Sequence, residues 1–186
     1  MRLKPISRRG AIRNMDQLDQ ILRTATQAIG PEYFLLPIAG RMPALYERVY
    51  CYELYHQMRC RWPKDAELVL SGEIPKHGHE IIMGMIERAV IPDFLIHVPG
   101  NMGNNHAIME VKSSQASVGG IMKDLATLDE FRINVGYERA IYLFYGGVRE
   151  DLVRALADRR GVSAVELWVH REPGEEAICL GRLGPV

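Results

Sequence analysis

A chain of 186 residues, 47% hydrophobic and 25% charged, is long enough for one domain with a sizeable core and too apolar for wholesale disorder. Its 23 basic and 23 acidic side chains cancel, so net charge neither requires nor excludes a nucleic-acid partner, and any such contact must come from a local patch. No apolar run approaches a membrane span, and the N-terminus lacks the apolar stretch of a secretory signal; the expectation is a soluble, cytoplasmic protein with no membrane contact.

The chain begins with Arg2, Lys4, Arg8, Arg9 and Arg13 and no acid among them, which reads as a solvated arm before it reads as a phosphate contact. Apolar residues at helical spacing (Leu18, Ile21, Leu22, Ala25, Ala28, Ile29) predict a helix over 15–29, closed by Gly30-Pro31. Pro31, Pro37 and Pro43 then break regular structure. Residues 1–43 therefore read as an N-terminal helical and irregular segment ahead of a domain over 44–186.

A second helix is predicted over 44–61, between Pro43 and Pro63. Its apolar residues lie almost all round, which suggests packing on more than one side. Its tyrosines 46, 50, 52 and 55 read as core with hydroxyls at the edge rather than as a base-stacking surface. Cys51, Cys60 and Cys179 are odd in number and lack a CxxC spacing, which fits buried thiols in a reducing compartment. Leu68-Val69-Leu70 starts a strand running into Ser71-Gly72-Glu73. His77-Gly78-His79 is a polar turn without the partners of a zinc site, and 81–90 is apolar and ambiguous between helix and strand.

Two strands follow, 93–98 and 107–112, joined by a loop of turn residues that predicts a hairpin. A regular hairpin turning between His97 and His106 sets Asp93 opposite Glu110, with the two histidines flanking the loop; a bulge would shift that register. Strand alternation puts Glu110 and Lys112 on one face and Met109 and Val111 on the other. Beyond the hairpin, helical spacing returns over 118–135, preceded by Ser117 as a cap or, with Gly119 and Gly120, as an anion-binding turn. A strand over 140–145, a helix over 150–160 and a last strand over 164–169 complete the order. The fold class that results is α/β, a mixed central sheet flanked by helices.

Charges on strands this apolar are costly to bury unless something pairs with them. Two acids and a lysine satisfy one another around a divalent cation. Hard oxygen donors such as Asp93, Glu110 and the backbone carbonyl of Val111 suit Mg²⁺ or Mn²⁺. Such an ion activates water and polarises a phosphate oxygen, while Lys112 is placed to orient the water or stabilise developing negative charge.

Pro92-Asp93 followed by Glu110-Val111-Lys112 resembles the PD-(D/E)xK motif of the restriction-endonuclease-like nucleases, over roughly 44–145. The resemblance implies a restriction-endonuclease-like core and a Mg²⁺-dependent nuclease, with Asp93 and Glu110 as metal-binding acids and Lys112 as the motif's lysine. It also implies a nucleic-acid substrate, DNA favoured, and leaves a homodimer open, since many such nucleases cut two strands as dimers. Many members add a glutamate from the first core helix. Glu47 and Glu53 both lie on that helix on different faces; Glu53 is preferred, and Glu73 at the end of the first strand is a third candidate. The helix after the motif lacks the Gln-xxx-Tyr pair of one exonuclease group. The rival reading is a nuclease-fold module that binds nucleic acid or a protein partner without cutting.

Overall fold

The computed structural model describes residues 15–73, 91–100, 103–162 and 164–184. The expected residues 1–13, the His77-Gly78-His79 turn and the ambiguous 81–90 stretch lie outside them. In chain order the elements are α1 (Met15–Gln27), α2 (Pro31–Phe34), α3 (Glu47–Arg61), β1 (Val69–Gly72), β2 (Phe94–His97) and β3 (Asn105–Ser113). Then come α4 (Val118–Asn134), β4 (Arg139–Tyr145), α5 (Glu150–Arg160), β5 (Val165–His170) and β6 (Ile178–Leu183).

The six strands form one mixed sheet in the order β1-β2-β3-β4-β5-β6. β2 runs antiparallel to both β1 and β3, β3, β4 and β5 run parallel, and β6 returns antiparallel. Each parallel step needs a crossover, and α4 and α5 supply them. Both cover one face: Ile121, Leu125, Leu128 and Phe131 of α4 and Val153, Leu156 and Ala157 of α5 pack with Ile108, Tyr142, Phe144 and Leu167. The other face carries Met109, Val111, Ile141, Leu143 and Trp168 against α1 and α3. The class inferred from the order of elements, a mixed sheet between helices, is the one observed.

The hairpin keeps the expected register along β2: Phe94 pairs with Met109, Leu95 with Ile108 and Ile96 with Ala107. A bulge follows at Ile96/His97, so His97 pairs with Asn105. The two histidines consequently do not face each other. The His97 ring meets the Ser71 hydroxyl at 3.4 Å, and His106 Nδ1 lies 2.9 Å from Glu138.

Several expectations need correction. The described part of 1–43 shares the core of the following residues, because α1 buries Leu18, Ile21, Leu22 and Ala25 in the same core as α3. Three polar contacts also tie it to the far end of the sheet. Arg139 donates to both Asp19 and Glu166 at 2.6 Å, Thr26 Oγ1 accepts the Ala177 amide at 2.8 Å, and the Arg23 guanidinium lies over the Trp168 ring. Helix α3 buries one stripe, Tyr50, Cys51, Leu54 and Met58, rather than all sides. Tyr46 and Tyr52 are exposed, as are Cys60 and Cys179. Strand β6 was not expected; its exposed edge and the left-handed Gly181 (φ 101°) disguise its alternation. Among the described residues, no helix is long and apolar enough to cross a membrane.

Candidate active site

β3 is the strand at which the sheet changes from antiparallel to parallel pairing, and its carboxyl end runs directly into the loop before α4. Such ends are open to ligands because the chain leaves the sheet there to enter a crossover helix. Asp93 stands just before β2, and its Oδ2 accepts the Val111 amide at 2.7 Å. That bond continues the hairpin past its last ladder pair and turns the carboxyl towards Glu110. The two carboxyls lie near enough for each to act on the other's ionisation. Pro92-Asp93 is thus more than a turn; it clamps the start of β2 to the centre of the motif strand.

Glu110 is 6% exposed, and burial first, then Asp93 and Asp124, push its carboxyl well above the ordinary glutamate range. Asp93 is pushed up from 3.8 to about 6 by burial, against the pull of the Val111 amide and of Lys112. Two acids forced together in a low-dielectric site share a proton, or release it when a cation takes its place.

Lys112 lies on the Glu110 face, as alternation requires, and joins the two helical layers. Its Nζ donates to Glu47 Oε1 of α3 at 2.6 Å and lies 3.3 Å from Asp124 Oδ2 of α4. Burial works against its charge, but Asp124 and Glu47 outweigh it and hold the pKa above that of free lysine. A lysine held this way stays protonated and acts by its charge, not as a base. Asp124 is 4% exposed and also accepts the Tyr142 hydroxyl at 3.1 Å. Cys51, close by, remains a thiol, since burial, Asp93 and Glu47 all raise its pKa.

The structure therefore brings Asp93, Glu110 and Lys112 together and separates the three helix and strand glutamates. Glu47 meets the lysine. Glu53, the preferred candidate, instead accepts from Gln57 Nε2 one turn along α3 at 2.7 Å, and Glu73 faces Arg48 at 3.5 Å. The reason is helical phase: six residues carry Glu53 well round the helix from Glu47, and Tyr50, Cys51 and Leu54 fix which side meets the sheet.

No family model, curated protein or solved structure matches this chain. Asp124 was missed in the sequence, although one signal was present. It falls on the apolar stripe of α4 with Ile121, Leu125 and Leu128, where a lone acid has to have a buried partner.

Among the described residues no group of three or more His, Cys, Asp or Glu side chains is arranged to hold a metal ion. The donor chemistry nevertheless fits Mg²⁺ or Mn²⁺. Mg²⁺ commonly takes one or two carboxylates and completes its octahedron with water and substrate phosphate. Asp93 and Glu110 are such a pair of carboxyls. Val111, the third expected ligand through its carbonyl, is buried between them with its amide on Asp93.

Proposed function

We propose that the protein is a Mg²⁺- or Mn²⁺-dependent nuclease that hydrolyses phosphodiester bonds, with DNA the favoured substrate. In this reading the core from α3 to β4 is restriction-endonuclease-like. The observation that carries it is the Asp93–Glu110 carboxyl pair with Lys112 one strand step away, at the carboxyl end of β3. A fold needs no such arrangement of buried acids for stability, because each costs more to bury than an apolar residue of the same size.

Asp93 and Glu110 would hold the cation as ionised carboxylates, which burial now disfavours. When bound, the ion polarises a phosphate oxygen and lowers the pKa of a water. Lys112 supplies fixed positive charge for the attacking water or the phosphate oxygens. Glu47 and Asp124 keep that lysine charged and limit its swing, one from each helical layer. Glu47, the more exposed of the two, is in addition the α3 acid that meets Lys112.

The test is cleavage of plasmid and branched DNA with Mg²⁺ or Mn²⁺, comparing wild type with Asp93→Ala and Lys112→Ala. Each substitution is expected to reduce the rate by at least about a hundredfold. Equal activity in the three proteins would sink the proposal. Calorimetry separates the non-cutting rival: salt-sensitive DNA binding with no Asp93-dependent Mn²⁺ heat would identify a binding module.

A further inference from the structure

Beside the carboxyl pair lies a cavity of about 360 Å³ between α3 and the β1–β2 edge, for which the reaction just described has no use. Its walls are Tyr52 and Tyr55 of α3, Gly72 at the end of β1, and Phe94 at the start of β2; among the described residues, Glu73 and Asp93 are its charged lining. The size is at the lower end of small-molecule pockets, enough for one flat ring system and its sugar. Tyr55 and Phe94 lie nearly parallel, 7° apart with centroids 6.3 Å from each other. Tyr52 is 59% exposed, with its ring on the cavity wall. At Gly72 the wall stays thin: a Cβ there would stand 3.6 Å from the Tyr55 ring and 3.7 Å from the Asp93 carbonyl.

We infer that this cavity takes one unstacked nucleobase of the substrate, and that the protein therefore acts on nucleic acid with unpaired nucleotides. The inference rests on the nuclease reading for its biological sense but not for its test. Charge selects the part of a nucleotide that enters. Two acids line the space and repel phosphate, whereas aromatic faces accept any base by stacking. Asp93 belongs both to the cavity and to the carboxyl pair, so a base held here keeps its own phosphate close to the reacting groups. Arg48 stands at the rim, paired with Glu73 at 3.5 Å; both side chains are well exposed. A pair so exposed holds its partners weakly, which leaves the guanidinium free to exchange a carboxylate for a phosphate. In a duplex each base is already stacked on both faces and must be extruded first; a single strand or frayed end meets this requirement at much lower cost.

The experiment measures anisotropy of a short fluorescein-labelled mixed-sequence single strand, and of the same strand annealed to its complement, in EDTA at fixed salt. Wild type is expected to bind the single strand about tenfold tighter than the duplex. Tyr52→Ala, at an exposed position where folding is not at stake, should lose about tenfold for the single strand and nothing for the duplex, and Tyr52→Phe should retain the preference. Equal affinity for both forms, no binding, or a Tyr52→Ala protein indistinguishable from wild type would overturn the inference. Cleavage of the same strands with Mn²⁺ is scored separately. Tyr52-dependent binding without cleavage leaves the base site standing and removes the nuclease; cleavage without Tyr52-dependent binding does the reverse.

Discussion

Replacing Asp93 by Asn should make the metal-free protein more stable at neutral pH, and less stable than wild type once Mn²⁺ is added. Asp93 titrates near 6 in the fold against 3.8 in the unfolded chain, because burial outweighs the Val111 amide and Lys112. A carboxyl raised in this way favours the fold fully below about pH 4 and loses that contribution as the pH climbs through 6. Each unit is worth about 1.4 kcal/mol, so the ionised side chain costs on the order of 3 kcal/mol at neutral pH. Asn keeps an oxygen for the Val111 amide, 2.7 Å from the present acceptor, and carries no charge. For a chain of this length a cost of that order corresponds to roughly 6–12 °C in Tm. Thermal unfolding in EDTA at pH 7.5 should show that gain, and at pH 4 it should vanish. Millimolar Mn²⁺ should then raise the wild-type Tm and leave Asp93→Asn where it was, reversing their order. An Asn variant that is no more stable in EDTA at pH 7.5, or equally stabilised at both pH values, would refute the claim that this carboxyl is held against its ionisation.

Two further outcomes follow from the contacts. Glu47→Gln should lower Mn²⁺-dependent cleavage by about a hundredfold, because it removes a charged partner from Lys112, whereas Glu53→Gln should stay within about twofold; single-turnover rates on one DNA substrate decide between them. Arg139→Met leaves Glu166 buried without its cation and releases Asp19 of α1, at a cost of about 3–5 kcal/mol in urea unfolding. A loss below 1 kcal/mol would mean that α1 is not anchored through this arginine.

Much of the architecture could be read from the chain because it depends on short-range rules. Period-two alternation placed Glu110 and Lys112 on one face and Val111 on the other, and the turn residues of the 99–105 loop fixed a hairpin whose register holds from Phe94 to Ile96. Helices α4 and α5 came from apolar spacing and end where Gly136 and Gly161 stand nearby or as caps. β6 escaped because an edge strand with one buried residue, Leu183, and a glycine carries little apolar pattern.

By itself, then, the sequence determined the α/β class, the hairpin and the nearness of Asp93, Glu110 and Lys112, since Glu110 and Lys112 lie on β3 and Asp93 stands just before the adjacent β2. Tertiary structure alone decided which other groups join them. Glu47 against Glu53 is a matter of how α3 is rotated on the sheet, and Asp124 reaches Lys112 only because α4 packs back across β3 and β4. The integration of α1 likewise depends on Arg139, Glu166 and Ala177, which are far away in the chain. Local pattern fixes which face of an element a side chain takes; only packing between elements fixes what that face meets.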